Sequence, residues 1–126
     1  MNPIKKILIA EDELIVARVM KRVLEQNGYE VMQVCDEAHA IQASAEFRPD
    51  LLILDIHLKN KSSGLLAGKE IRKQGMQCPI LFTTGNSYEQ TREAIKEIVN
   101  CHLFIKPIDT EQIVQFLDTN FGSINV

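Results

Sequence analysis

Leu51-Leu52-Ile53-Leu54-Asp55 is the stretch of this sequence that most clearly decides the fold. Four consecutive apolar residues predict a short strand that is covered on both faces, as strands of parallel sheets are. The strand ends at an acid, Asp55, which should be only partly exposed to water. Because ligands of open α/β sheets bind outside the carboxyl ends of the strands, we expect the chemistry of this protein to lie next to Asp55.

The same arrangement repeats on either side of this strand. Short apolar runs at 7–10, 31–34, 79–82 and 103–105 predict four more strands, and segments with helical periodicity follow each strand. Five strand-helix units in alternation predict an α/β domain with a doubly wound parallel sheet and helices on both of its faces. This architecture is a three-layer sandwich.

The helices have recognisable faces and ends. In the first helix, spacings of three and four predict one buried face, made of Val16, Val19, Met20, Val23 and Leu24. Gly28 closes this helix as a left-handed cap. Ser87 with Gln90 and Asp109 with Gln112 have capping-box spacing, which predicts the starts of the last two helices. The final helix should end near Phe121, with a short tail after it.

Composition limits what the protein can be. The chain has 126 residues, 45% of them hydrophobic and 25% charged, which predicts one globular domain over residues 1–126. A net charge of -3 argues against direct binding of nucleic acid. The apolar runs are too short to cross a membrane and no signal-peptide pattern begins the chain, so a cytoplasmic location is expected. Three cysteines without CxxC spacing indicate neither a disulfide framework nor a zinc site.

Polar side chains follow four of the predicted strands. Glu11 and Asp12 follow the first, Asp55 the third, Thr84 lies after the fourth, and Lys106 follows the fifth. Each has an ordinary explanation: Asp12 as a helix cap, Glu11 as a solvated acid near a helix N-terminus, Thr84 as a loop hydroxyl and Lys106 as a surface lysine. Asp55, directly after four apolar residues, is the hardest to explain in this way.

Together these residues need a different explanation. Three neighbouring acids repel one another by about 1 kcal/mol per pair at 4 Å in water, and by more at lower dielectric. A hard divalent cation with oxygen ligands, such as Mg²⁺, would neutralise them together with Lys106. If Asp55 became an acyl phosphate, its single charge would be replaced by nearly two, and Thr84 would be an available hydrogen-bond donor.

Four motifs give the chain a family resemblance. Ile-Ala-Glu-Asp-Glu (9–13), Leu-Ile-Leu-Asp-Ile-His-Leu (52–58), Phe-Thr-Thr-Gly (82–85) and Phe-Ile-Lys-Pro (104–107) occur in order and with the family's spacing. With them the chain resembles a receiver domain of the response regulators of two-component signalling. The resemblance implies a flavodoxin-like sheet with strand order 2-1-3-4-5 and five helices. It also implies a phosphorylation-dependent switch that catalyses only its own phosphorylation and dephosphorylation.

The resemblance assigns a role to each residue at the strand ends. Asp55 falls on the phosphoacceptor, Thr84 on the switch hydroxyl, and Lys106 on the family's lysine. Gly85 is the small residue that keeps access to the phosphoryl group open. The implied ligands of Mg²⁺ (or Mn²⁺) are Glu11, Asp12, Asp55 and the backbone carbonyl of His57. The implied phosphodonor is a sensor histidine kinase or a phosphotransfer protein, and an unidentified output partner or domain would receive the signal.

The chain departs from the family pattern at two positions. Leu103 stands where receivers usually have Tyr or Phe, and Phe104 should point to the opposite face of its strand. The loop after Asp55 lacks the common proline and instead has Lys-Asn-Lys-Ser-Ser-Gly over 59–64. The resemblance also makes Lys106-Pro107 a candidate for a cis peptide bond.

Three other functions fit parts of the pattern. A phosphatase of the aspartyl-phosphate type needs a second acid two residues after its nucleophile, where His57 stands. A flavodoxin-like nucleotide or flavin carrier needs a glycine- or hydroxyl-rich loop after the first strand, where three acids stand instead, at 11–13. A phosphorylation-independent adaptor on the same scaffold would not need the complete set of acids, Thr84 and Lys106.

Overall fold

Strands and helices alternate without exception along the described part of the chain. A computed structural model describes residues 4–86 and 88–122, without the side chains of Tyr88 and Gln90. Its elements are β1 (Lys6–Ala10), α1 (Leu14–Gln26), β2 (Glu30–Val34), α2 (Glu37–Phe47), β3 (Leu51–Asp55), α3 (Gly64–Lys73), β4 (Ile80–Thr84), α4 (Tyr88–Ile95), β5 (Cys101–Ile105) and α5 (Thr110–Phe121). Among these ten elements, no helix has the length and apolar character that crossing a membrane requires.

The five strands form one parallel sheet in the order β2-β1-β3-β4-β5. This arrangement confirms the predicted doubly wound α/β fold and its strand order. β3 lies at the centre, with Leu54 beside Ala10 of β1 and Asp55 beside Thr83 of β4. Every residue of β3 is buried, which explains its uninterrupted apolar sequence.

The core has two halves, one on each face of the sheet. Successive strand residues point to opposite faces, so β1 and β3 each contribute side chains to both halves. One half joins β1 and β3 to α1 and α5, and its members include Ile7, Ile9, Met20, Leu24, Leu51, Ile53, Ile113 and Leu117. The other joins them to α2, α3 and α4, and its members include Leu8, Ala40, Ala43, Leu52, Leu54, Ala67, Ile71, Phe82 and Ile95.

The predicted buried face of α1 was partly wrong. Met20 and Leu24 are buried, but the third member of the face is Ala17, whereas Val16 and Val19 are 37% and 53% exposed. Periodicity could not distinguish the two faces, because this helix has apolar residues on both of them.

Two strands extend two residues beyond the range predicted for them. β4 continues to Thr84, so that Thr83 and Thr84 belong to the strand and do not follow it. β5 begins at Cys101, so His102 is a strand residue and not the loop residue that the sequence suggested. The His102 ring packs edge-on against Phe116 of α5, with 4.8 Å between the ring centroids.

The helix ends agree with most of the capping signals. Gly28 has a φ of 98° directly after the cap of α1, a left-handed conformation that glycine adopts without steric cost. Asp109 caps α5 by accepting a hydrogen bond from the Glu111 N–H, and α5 ends at Phe121 as expected. The capping box proposed for Ser87 and Gln90 lies outside the described residues.

Candidate functional site

Three carboxylates lie together at the carboxyl edge of the sheet. Glu11 follows β1, Asp12 comes next, and Asp55 is the last residue of the neighbouring strand β3. One carboxylate oxygen from each lies within 4.8 Å of the other two. Glu11 and Asp55 are only 2% and 3% exposed, whereas Asp12 is half-buried. The adjacent parallel strands bring these acids together, because their carboxyl ends meet at one edge.

Lys106 reaches the same cluster from the far side of β4. Its ammonium nitrogen donates hydrogen bonds to Asp55 Oδ2 at 2.6 Å and to Glu11 Oε1 at 3.1 Å. Its backbone N–H donates to the Thr84 carbonyl at 2.7 Å, and the bond to Pro107 is cis, as the resemblance suggested. Burial lowers the pKa of Lys106, but the hydrogen bonds to Asp55 and Glu11 outweigh this effect and raise it above its ordinary value.

The electrostatics of the cluster suit a divalent cation. Three carboxylates face one ammonium, which leaves two negative charges to balance. The pKa of Glu11 is raised to about 7, chiefly by burial and also by the charge of Asp55, whereas hydrogen bonds from the Glu13 N–H and Lys106 lower it. Hard oxygen donors at this spacing are the ligands that Mg²⁺ and Mn²⁺ take, so the donor set fits the expected ion.

Asp55 is held from two directions. Lys106 binds Oδ2, and the backbone N–H of His57 donates to Oδ1 at 3.0 Å. Gly64, the first residue of α3, lies very close to the backbone of Asp55. A Cβ added at Gly64 would clash with the Asp55 carbonyl oxygen and would lie 2.8 Å from the Asp55 carbonyl carbon. Sequence reasoning missed Gly64, although a glycine directly after the Ser63 helix cap was an available signal.

Thr84 and Gly85 lie at the end of β4. Thr84 is fully buried, and its Oγ1 accepts a hydrogen bond from the Asn86 N–H at 3.1 Å. Gly85 is exposed, and an added Cβ there would meet no atom within 4 Å. In the sheet, Thr84 pairs with Ile105, the residue before Lys106. A movement of Thr84 would therefore act on the start of the loop that presents Lys106.

The His57 side chain points to the loop after β4. It is exposed, and its Nε2 lies 3.0 Å from Asn86 Nδ2. No local sequence pattern indicated Asn86, because the pairing depends on how two loops meet in space.

Leu103 and Phe104 face opposite sides of β5, as predicted. Leu103 packs against the half of the core that contains Phe82, Ile95 and Ile98. Phe104 packs against the other half and meets the Phe116 ring edge-on, with 5.4 Å between centroids. The aromatic ring of Phe104 therefore does not take the place that Leu103 fills.

Known proteins with similar sequences are response regulators. The chain is 34% identical over 107 residues to the aerobic respiration control protein ArcA of Escherichia coli strain K12, an alignment that covers 85% of this chain and 44% of ArcA. It is 26% identical over 121 residues to the polar-differentiation response regulator DivK of Brucella anthropi, covering 94% and 97% of the two chains. This chain thus spans less than half the length of ArcA.

Solved structures with the same fold include a chemotaxis protein and the receiver domain of a sensor histidine kinase. The chemotaxis protein CheY4 of Vibrio cholerae superposes with a TM-score of 0.84 at 23% identity, covering 92% of this chain and 98% of CheY4. The receiver domain of the sensor histidine kinase PA1611 of Pseudomonas aeruginosa gives 0.81 at 28% identity, covering 94% and 98%. That structure has a magnesium ion coordinated in its active site cleft.

The family model of the response regulator receiver domain matches residues 7–118. These residues include all five strands except the first residue of β1, and the acids, Thr84 and Lys106 at the strand ends. The chain belongs to the response regulator receiver domain family.

Proposed function

We propose that this chain is a phosphorylation-dependent signalling switch in which Asp55 accepts the phosphoryl group. The observation that supports this most directly is the environment of the Asp55 carboxylate. It is 3% exposed, lies within 4.8 Å of oxygens from two further acids, and receives a 2.6 Å hydrogen bond from Lys106. This is an arrangement for charge chemistry at one carboxylate, since a purely structural acid would not need two acidic neighbours.

The reaction is a phosphoryl transfer from a phosphohistidine. A carboxylate oxygen of Asp55 attacks phosphorus, the phosphorus–nitrogen bond breaks, and the donor imidazole leaves with its electron pair and takes up a proton. Such transfers depend mainly on alignment and on stabilisation of charge. Lys106 and the His57 N–H hold the Asp55 carboxylate in place, and the Lys106 ammonium offsets negative charge beside it.

The acidic cluster would hold the metal ion of this reaction. Its ligands would be Glu11, Asp12, Asp55 and the backbone carbonyl of His57, and the ion would be Mg²⁺ or Mn²⁺. When bound, the ion supplies positive charge beside the transferred phosphoryl group. The same site would assist attack by water on the acyl phosphate, so the domain catalyses its own phosphorylation and dephosphorylation only.

Thr84 and Gly85 would convert the covalent change into a conformational one. Phosphorylation replaces one carboxylate charge by nearly two phosphoryl charges, which call for additional hydrogen-bond donors. Thr84 would turn its hydroxyl towards the phosphoryl group, and Gly85 would leave space for it. The loop after β4 and the surface formed by α4, β5 and α5 would change with it.

The phosphodonor would be a sensor histidine kinase or a phosphotransfer protein. Residues 1–126 would form the receiver domain, located in the cytoplasm, acting on a protein partner or output domain and binding neither nucleic acid nor membrane itself. We propose the surface of α1 beside the site as the docking surface for the phosphodonor. Apolar residues of α1 are exposed there, and they line the same cavity as Glu11 and Lys106.

Replacement of the phosphoacceptor tests this function. The wild-type chain should take up phosphate from radiolabelled acetyl phosphate in the presence of Mg²⁺, and Asp55→Asn should abolish this uptake. Asp118→Asn, an exposed acid of α5, is the matched control and should behave as wild type. Undiminished uptake in Asp55→Asn would contradict the assignment. A folded wild-type chain that takes up no phosphate would instead favour the adaptor alternative.

A further inference from the structure

Two loops that border Asp55 are joined by a pair of side chains. His57 lies in the loop after β3 and Asn86 in the loop after β4, with 3.0 Å between Nε2 of the histidine and Nδ2 of the asparagine. An amide nitrogen can only donate a hydrogen bond, so His57 Nε2 is the acceptor in this pairing. The contact thus has one defined donor and one defined acceptor.

The backbones of the same two residues bind the two ends of the switch. The His57 N–H donates to Asp55 Oδ1 at 3.0 Å, and the Asn86 N–H donates to Thr84 Oγ1 at 3.1 Å. Asp55, His57, Asn86 and Thr84 are therefore linked in sequence by three hydrogen bonds. This path connects the phosphoacceptor to the switch hydroxyl outside the sheet, through the loops.

The loop that holds His57 is a small hairpin. His57 pairs with Ser63 as an antiparallel bridge, and Asn60 and Lys61 at the turn have φ angles of 59° and 60°. Lysine rarely adopts this left-handed conformation, so the surrounding hydrogen bonds must stabilise it. The Ser63 N–H also donates to Glu37 Oε1 at 3.1 Å, which ties the hairpin to α2. The hairpin that carries His57 is therefore held in place by hydrogen bonds.

From this geometry we propose that the His57–Asn86 hydrogen bond is a latch that holds Thr84 and the loop after β4 in their resting positions. The inference rests on the proposed function and adds two positioning residues to it. For Thr84 to turn to a phosphoryl group on Asp55, its Oγ1 must leave the Asn86 N–H or take Asn86 with it. In either case the loop after β4 must move, and the anchored His57 side chain opposes that movement.

Beryllofluoride is a suitable probe, because it binds an aspartate non-covalently as a phosphoryl mimic. Its affinity, measured by calorimetry with Mg²⁺, includes the cost of the conformational change. Asn86→Ala and His57→Ala should each bind it about fivefold more tightly, which corresponds to a hydrogen bond of about 1 kcal/mol. The double variant should bind no more tightly than either single variant, since both remove the same interaction.

Two further variants serve as controls. His57→Gln keeps an acceptor at a similar reach and should return the affinity towards that of the wild type. Asn120→Ala removes another exposed asparagine amide, which donates to the Phe116 carbonyl in α5 at 2.8 Å, and should leave the affinity unchanged. Poor folding of a variant would lower its affinity for beryllofluoride and would not raise it. The melting temperature of each variant shows separately whether the substitution destabilises the fold.

The outcomes separate this inference from the function on which it rests. A folded wild-type chain that fails to bind beryllofluoride with Mg²⁺ would overturn both. Wild-type binding with unchanged or weaker affinity in both single variants would overturn the latch alone, as would gains that add in the double variant. A contact that is merely structural would lower the melting temperature and leave the affinity unchanged, which also overturns the latch.

Discussion

Glu11 is nearly inaccessible to solvent, and this burial raises the pKa of its carboxyl to about 7. The negative charge of Asp55 adds to the increase, whereas hydrogen bonds from the Glu13 N–H and the Lys106 ammonium reduce it. A divalent cation at the proposed site would bind the deprotonated carboxylate. The proton of Glu11 and the ion would therefore compete for the same oxygens near neutral pH.

We expect the Mg²⁺ affinity of the wild-type chain to increase as the pH rises through about 6 to 7 and to level off above pH 8. Titration calorimetry over this range measures the effect, together with the proton released on binding. In Glu11→Gln the increase near pH 7 should disappear, because no proton remains to be displaced. A wild-type affinity that is constant between pH 6 and pH 8 would contradict the competition.

The same pKa shift affects stability in the absence of the ion. A carboxyl whose pKa rises on folding binds its proton more tightly in the folded state, so its contribution to the free energy of unfolding decreases as the pH rises from 4.5 to about 7. Denaturation in the presence of a chelator should therefore show a smaller loss over this range in Glu11→Gln than in the wild type.

Gly64 allows the start of α3 to approach β3 closely at Asp55. Gly64→Ala should lower the free energy of unfolding by about 1–3 kcal/mol, because the added methyl group presses on the Asp55 carbonyl. It should also slow phosphate uptake, because the carboxylate of Asp55 is displaced with its backbone. Urea denaturation and acetyl phosphate labelling measure the two effects.

Gly85→Ala is the matched variant for stability. Its methyl group would meet no atom within 4 Å, so the free energy of unfolding should stay within about 0.5 kcal/mol of wild type. Equal stability of the two alanine variants would show that the close approach at Gly64 has no energetic consequence.

The outer surface of α1 is unusually apolar for an exposed helix. Leu14, Ile15 and Val19 are 53%, 78% and 53% exposed. This surface borders an open cavity of about 520 Å³ that extends to Glu11 and Lys106. A protein that delivered a phosphoryl group to Asp55 would have to contact the rim of the site, and an apolar rim would fit a docking surface for such a protein.

Ile15→Asp should reduce the rate of phosphoryl transfer from a histidine kinase that phosphorylates the wild-type chain by about tenfold, equivalent to about 1.4 kcal/mol of lost binding. Uptake from acetyl phosphate should not change, because a small donor needs no docking surface. Leu66→Asp makes the same change at an exposed residue of α3 and should leave both rates as they are. Equal losses from both donors would place the effect in the site itself.

In the proposed switch, β4 lies between Asp55 and the far side of the domain. Thr84 is the last residue of β4, pairs with Ile105 of β5, and accepts the Lys106 N–H at its carbonyl. α4 is only eight residues long, and its buried side chains include Ile95 in the core. A helix of eight residues opens at lower cost than a longer one, which suits an element that would change position in the proposed switch.

Thr84→Ala should leave phosphate uptake largely intact while weakening the conformational response. The expected observation is a smaller change in the amide chemical shifts of β5 and α5 when beryllofluoride and Mg²⁺ are added. Thr119→Ala, an exposed threonine of α5, is the control and should respond as wild type. A full response in Thr84→Ala would remove this hydroxyl from the switch.

Most of the fold was predictable because local signals and the fold agree. Continuous apolar runs identified the five strands, and Gly28 and Asp109 marked helix ends correctly. The errors concern positions where two explanations share one local pattern. Val16 and Val19 have the spacing of a buried face, yet they are partly exposed, and only the burial of Ala17 in the folded structure shows which face is covered.

The order of residues was enough to place acids, a hydroxyl and an ammonium at one edge of a parallel sheet, because parallel strands all end on the same side. It could not supply the contacts between them. The 2.6 Å bond from Lys106 to Asp55, the approach of Gly64 to β3 and the pairing of His57 with Asn86 join residues that are far apart along the chain or lie in separate loops. Such distances arise from how helices and loops pack against the sheet, and no local pattern encodes them.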